Sequence, residues 1–196
     1  MRVARAVQNL IEAFERLPGI GPKTAQRLTY YLLHVPQAEL DKFAVSLTSL
    51  KKDTLECSVC HNISETDPCD ICSDRERDKE TICVVEQPLD VLALESSNGY
   101  LGTYHVLHGV IEPLHNIGPE EIKLNELIER IKQNKPSEII LALNPTMEGE
   151  VTCLYIKRQI TGVKVTRLAH GLPMGADIQY ADDQTLTHAM AGRREY

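Results

Sequence analysis

The sequence predicts an α+β multidomain protein. It has a helical N-terminal region, a small four-cysteine metal motif, an α/β region with a mostly parallel sheet, and a C-terminal helix. Three observations carry this reading. Apolar residues recur at helical spacing through residues 3–50. Two Cys-x-x-Cys pairs follow within residues 57–72. Beyond Ser73, short apolar runs alternate with helical stretches, the pattern of parallel strands joined by helices. The expected boundaries are 1–53, 54–78, 79–174 and 175–196.

Composition bounds the function classes. A content of 42% apolar and 25% charged residues in 196 supplies the core of a soluble globular protein. No run approaches the ~20 apolar residues of a membrane helix. The opening stretch MRVARAVQNLIEAFERL places Glu12, Glu15 and Arg16 inside its apolar pattern, unlike a signal peptide. A cytoplasmic protein is expected. The net charge of −7 argues against a protein that coats nucleic acid over its whole surface, but the charge is segregated. Residues 1–53 hold eight Lys/Arg against five Asp/Glu, and the remainder holds 13 against 23. A basic N-terminal face can therefore coexist with an acidic body. Six cysteines in a cytoplasmic chain do not point to disulfides. Cys83 and Cys153 read as buried apolar packing.

In the N-terminal region, Val7, Leu10, Ile11, Phe14 and Leu17 define an amphipathic helix. LPGIGPKTAQRL, residues 17–28, then breaks and restarts it. Gly21 suits a positive-φ backbone, and Pro22 is preset for a first helical turn. Ala25, Leu28 and Leu32 continue the apolar face as far as Pro36. A helix start of this kind attracts a phosphate oxygen through free N–H groups and the helix dipole. Lys23 and Arg27, four residues apart, face the same way. The segment resembles a helix-hairpin-helix, a module that grips DNA by its phosphates, with Gly19, Gly21, Lys23 and Arg27 as the contacting residues. The alternative is a helical hairpin that only packs and carries these cations as surface charge. A third helix is expected over 37–52, with Leu40, Phe43, Ala44, Leu47 and Leu50 on one face and Lys51 and Lys52 at its end.

Cys57, Cys60, Cys69 and Cys72 have the spacing of a site that closes a tetrahedron around one Zn²⁺. Four thiolates fill the shell and leave no open position, so a structural ion is expected, with a catalytic or redox site as the alternative. His61 is then a neighbour of the site. Asp67 and Pro68 turn the loop between the pairs.

The α/β region offers strands at 81–86, 104–109, 137–144 and 162–171. Helices are expected at 88–97, 120–133, 150–160 and 182–193. In open α/β sheets functional groups gather at the carboxyl ends of strands. Glu86 ends the first strand, and Asn144-Pro145-Thr146-Met147-Glu148-Gly149-Glu150 follows the third. Here the chain resembles the Toprim domain of topoisomerases, primases and some nucleases. Glu86 matches the acid after that family's first strand, and Glu148, Gly149 and Glu150 match the tail of its later acidic motif. Asn144 and Thr146 stand where the catalytic family has two aspartates. Mg²⁺ wants charged oxygen ligands, and two-metal chemistry wants several. The catalytic site is read as dismantled. Glu86, Glu148 and Glu150 remain for weak Mg²⁺ binding, for an acidic patch offered to a protein partner, or as solvated charges near a helix start.

The order of hairpin, cysteine motif and Toprim-like region resembles the family of the bacterial recombination mediator RecR. The matching stretches are LPGIGPKTAQRL, the four cysteines, CDICSD, ICVVEQPLDV, YHVLHGVI, NPTMEGE, VTRLAHGLP and the terminal GRRE. The resemblance implies a non-catalytic DNA clamp, a ring of four subunits, with a dimer in solution as the alternative. It would act with the partners RecO and RecF in gap repair and in loading recombinase. It also implies DNA contact by Lys23 and Arg27 and contact of the Toprim acids with RecO. Where the family usually has Gly-Gly after the last strand, this chain has Gly175-Ala176. Two rival readings are an Mg²⁺-dependent Toprim nuclease, primase or topoisomerase, and a scaffold that binds only protein.

Overall fold

The computed structural model describes residues 3–193 and 195, so Arg194 of the terminal GRRE lies outside the described residues. The chain divides into two compact units, Met1–Asp53 and Thr54–Tyr196.

The first unit is three helices: α1 (Arg5–Glu15), α2 (Pro22–Leu32) and α3 (Gln37–Ser49). Helices α1 and α2 pack against each other. Ile11 of α1 and Ala25 and Thr29 of α2 are buried, and a residue as small as Ala25 lets two helices approach closely. The turn between them corrects one expectation. Gly19, not Gly21, takes the left-handed backbone, with φ +78°. Gly21 is extended (φ −85°, ψ 171°) and is the N-cap of α2, with Pro22 in its first turn. The reversal needs its left-handed residue where the chain leaves α1, whereas a helix start needs an extended one. Helix α3 stops at Ser49, whose carbonyl accepts from the N–H of both Lys52 and Asp53 at 2.8 Å. It buries no residue, and Phe43 and Leu47 are 46% and 59% exposed.

The second unit opens with an antiparallel hairpin of β1 (Leu55–Glu56) and β2 (Ile63–Ser64), then the short helix α4 (Asp70–Ser73). The α/β region follows as β3 (Asp78–Val85), α5 (Pro88–Ser96), β4 (Gly102–Val106), α6 (Leu124–Asn134), β5 (Glu138–Ala142), α7 (Met147–Gln159) and β6 (Lys164–Arg167). Helix α8 (Asp183–Ala191) comes last. The strands form one parallel sheet in the order β4-β3-β5-β6. Each strand and helix expected from the sequence is present. Helix α7 begins three residues early, and β4 lies two residues earlier than its apolar run. The β1–β2 hairpin and α4, hidden within the cysteine motif, were not expected.

Alternation along β3 explains how the sheet is covered on both faces. Ile82 and Val84 join Ile139, Leu141 and residues of α6 and α7, among them Leu127, Ile131 and Ile156, in one core. Cys83 and Val85 point the other way, with Tyr104, Val106, Val91 of α5 and Ile71 of α4. Burying each such aliphatic side chain contributes ~1.5–3 kcal/mol. Cys83 is buried as expected, whereas Cys153 is only half-buried, at the margin of the larger core. On the smaller-core side, Glu95 of α5 accepts hydrogen bonds from Arg77 Nη1 at 2.8 Å and from Tyr104 Oη at 2.6 Å. Arg77 is the main cause holding the Glu95 carboxyl below its ordinary range.

The strand order creates a switch point. From β3 the chain crosses through α5 to β4 on one side, and β5 returns to the other side of β3. The carboxyl ends of β3 and β5 therefore lie side by side where connections leave in opposite directions, the place where open α/β sheets form a crevice.

Candidate functional site

Glu86 and Asn144 meet at that switch point. Val85 and Ala142 are the last register partners of β3 and β5. Just beyond them, Asn144 Nδ2 donates to Glu86 Oε2 at 2.8 Å. Two residues later Thr146 caps α7, its Oγ1 accepting from the Gly149 N–H at 3.1 Å. Gly149 is required sterically: a Cβ there would lie 2.1 Å from the Asn144 carbonyl oxygen. The loop is thus tightened by its own residues. Asn144 and Thr146, at the positions of the two Toprim aspartates, act as a donor and a helix cap.

The three predicted glutamates have separate engagements. Glu86 accepts from Asn144. Glu150 is held by Arg167 Nη1, at 3.0 and 2.7 Å to its two oxygens. Glu148 is half-buried in the first turn of α7, with its backbone carbonyl accepting from Thr152 Oγ1 at 2.7 Å. Arg167 ends β6, so it reaches the same sheet edge as Glu86 and Asn144. Its Nη2 donates to His170 Nδ1 at 2.9 Å. The His170 ring stands edge-on to His188 of α8, 5.8 Å between centroids. The sequence by itself assigns no role to Arg167 or His170 within VTRLAHG. The position of Arg167 at a strand's carboxyl end was the available clue.

The cysteines come together. The Sγ atoms of Cys57, Cys60, Cys69 and Cys72 all lie within 4.8 Å of one another, and Cys60 and Cys69 are 3.5 Å apart. A tetrahedral ion with metal–sulfur bonds of ~2.3 Å needs sulfurs roughly 3.8 Å apart, so the set fits one such cation. Among the described residues this is the group of Cys, His, Asp or Glu ligands able to hold a metal, and the three glutamates are not part of such a group. Cys57 and Cys60 sit in the turn of the β1–β2 hairpin, closed by Cys57 N–H to the Asn62 carbonyl at 2.8 Å and His61 N–H to the Cys57 carbonyl at 2.9 Å. Cys69 begins α4 and Cys72 lies on it. Cys69 N–H also points at Cys57 Sγ, at 3.3 Å, which favours a thiolate there. Asp67 Oδ1 accepts from Ser58 N–H at 2.8 Å, tying the loop back to the first pair.

This motif is fastened to the sheet edge. Val106 N–H of β4 donates to the Cys60 carbonyl at 2.8 Å, and His108 Nε2 donates to the His61 carbonyl at 2.6 Å. Ile71 packs both on the cysteines and on the smaller core. His61 Nδ1 contacts Glu56 Oε1 at 2.6 Å, and its ring lies edge-on to His105, 5.1 Å between centroids. His105 is fully buried and donates from Nε2 to the Lys123 carbonyl at 2.7 Å. Burial pushes its imidazole down to about 3. Its Nδ1 has no hydrogen-bond partner among the described residues, so a proton there would be a buried, uncompensated charge.

In the first unit, Lys23 and Arg27 are both exposed and lie four residues apart on α2. The helix start has no side-chain cap. Gly19 and Gly21 shape the turn that presents it.

A helical hairpin, a four-cysteine cluster and a parallel sheet with a tightened switch-point loop define a multidomain protein of the Toprim-like class. The family model described as "Toprim domain" matches residues 80–169. Models for the RecR helix-hairpin-helix, the RecR four-cysteine zinc finger domain and the RecR C-terminal segment match residues 7–51, 56–74 and 171–194. A protein of Heliobacterium modesticaldum named "Recombination protein RecR" is 52% identical over 194 residues, covering 98% of each chain. One of Staphylococcus aureus with the same name is 50% identical over 197 residues, covering 100% of each. The chain belongs to the RecR family.

Proposed function

We propose that the chain is a DNA-binding clamp and mediator without catalytic activity. It would act in recombinational repair with RecO and RecF to load recombinase at gaps. The observation that carries this reading is the switch-point loop. In an Mg²⁺-dependent Toprim enzyme that loop must offer several free carboxylates. Here Glu86 is bonded to Asn144, Thr146 is a helix cap, and Glu150 is paired with Arg167. The loop is built to hold a shape, which suits a docking surface for RecO formed by Glu86, Glu148 and Glu150.

DNA contact falls to Lys23 and Arg27, with Gly19 and Gly21 presenting the helix start to a phosphate. Affinity from such contacts is independent of sequence and falls with salt. The four cysteines hold one structural Zn²⁺, which supplies folding free energy. A ring of four is what the family resemblance implies, and self-association in general is supported by the first unit, which buries only Ile11, Ala25 and Thr29 among its described residues and leaves the α3 face open. A core that small leaves apolar surface on which another chain can pack. A cytoplasmic location follows from the role, and no helix among the described residues is long and apolar enough to cross a membrane.

The test is DNA binding at low salt by the purified protein and by the Lys23→Ala/Arg27→Ala double variant. Binding that falls by an order of magnitude or more in the variant, with unchanged helicity, is expected for two lost phosphate contacts. Equal affinity would remove the hairpin from the function.

A further inference from the structure

Helix α2 carries more than its two cations. Counting from Lys23, Arg27 stands at i+4, Tyr30 and Tyr31 at i+7 and i+8, and His34 follows at i+11 in the turn after the helix. At 3.6 residues per turn these side chains form one stripe. The buried residues of α2, Ala25 and Thr29, lie on the opposite side. Tyr31 is 67% exposed and Tyr30 51% exposed, beside a surface depression they line with Thr24, Arg27, Leu28 and His34. Three exposed rings along one helix face present flat, amphipathic surfaces of the kind used in contacts.

The charge of the segment says which contact. Residues 16–38 contain Arg16, Lys23, Arg27 and His34 but no Asp or Glu, in a chain whose net charge is −7. A positively charged row interleaved with aromatic rings is the chemistry that holds single-stranded nucleic acid: cations meet phosphates and rings meet base faces. Duplex DNA hides its base faces in the stack and offers only phosphates to this stripe.

We infer that Tyr30, Tyr31 and His34 stack unpaired bases of single-stranded DNA whose phosphates are held by Lys23 and Arg27, so that α2 prefers single strands to duplex. This rests on the reading of α2 as the DNA-contacting element and adds the strand type that it takes. Lys23 to His34 spans roughly 17 Å at 1.5 Å per residue, long enough for more than one nucleotide to lie along it. The rings read no sequence, because every base has a π-face.

The experiment measures binding of three labelled probes at low salt: an oligothymidylate, an abasic oligonucleotide of the same length, and a duplex of that length. The wild-type chain is expected to favour oligothymidylate over the abasic strand. Tyr31→Ala is expected to weaken oligothymidylate binding on the order of ten-fold, the effect of losing one stacked base, and to leave the other two probes nearly unchanged. Tyr31→Phe, which keeps the ring, restores binding. Equal loss on all three probes, or no loss, overturns the inference. A lighter particle for Tyr31→Ala in solution also overturns it, and gives the stripe to a second copy of the chain. If the wild type binds none of the probes, the DNA reading itself fails. If it binds oligothymidylate and the abasic strand equally, only the stacking inference fails.

Discussion

Asn144 Nδ2 donates to Glu86 Oε2 at 2.8 Å across the carboxyl ends of β5 and β3. A carboxamide there turns what would be a pair of repelling acids into a hydrogen bond. It ties the carboxyl ends of β5 and β3 together directly.

Restoring the acid should reverse this. Asn144→Asp replaces the donor with a second carboxylate against Glu86. The variant is expected to lose about 1–3 kcal/mol of stability in metal-free buffer, from the lost hydrogen bond and the new repulsion. Millimolar Mg²⁺ should recover part of that loss, while leaving the parent chain's melting temperature unchanged. Thermal unfolding of both proteins with and without Mg²⁺ checks it. An Mg²⁺-induced rise of equal size in the parent would mean the native loop already holds the ion.

Gly149→Ala tests the tightness of the same loop. The added methyl would sit 2.1 Å from the Asn144 carbonyl oxygen, which is backbone and cannot rotate away. The loop must open, and the Thr146 cap is lost with it. A loss of about 2–4 kcal/mol in urea unfolding is expected, more than an exposed helical Gly→Ala change would produce.

One tightly held zinc per chain is expected in reduced protein, measured by elemental analysis. Cys57→Ser should lower both bound zinc and folded yield, since ligation is coupled to folding. The damage should reach the end of β4, because Cys60 accepts a hydrogen bond from Val106 and His61 accepts one from His108 just beyond the strand. Faster amide exchange at Val106 would report it.

His105 makes stability depend on pH. Its folded imidazole is held near 3 by burial, against an ordinary 6.5. Below pH 6.5 the unfolded chain takes up a proton that the folded chain refuses. Stability is therefore complete above about pH 6.5 and falls as pH drops towards 3, by up to about 1.4 kcal/mol per pH unit. Unfolding of the zinc-loaded protein between pH 7.5 and pH 5.5 covers the upper part of that range, and His105→Gln should flatten the slope.

Much of this protein is legible from local pattern. Helical spacing located α1 and α2, alternation of apolar runs located the four strands of the sheet, and Cys57, Cys60, Cys69 and Cys72 announced their own cluster. These depend on periodicity and on spacing within a short stretch, which a sequence displays directly. Asn144 and Thr146 marked the altered acidic loop only through the resemblance to the Toprim domain, which supplies the two aspartates they replace.

Other features depended on the tertiary structure. Which glycine turns the hairpin was settled by backbone geometry, and Gly19 took that place. The β1–β2 hairpin is too short to show a period. The grip of Arg167 on Glu150 joins residues 17 apart, and the bond from Asn144 to Glu86 joins residues 58 apart. Such contacts follow from the strand order β4-β3-β5-β6, because only after β5 returns beside β3 do their carboxyl ends meet. Exposure is the other such quantity. Helical spacing gives α2 and α3 their apolar and aromatic stripes, but only packing decides which stripe is buried. In α2 it buries Ala25 and Thr29 and leaves Tyr30 and Tyr31 facing outward.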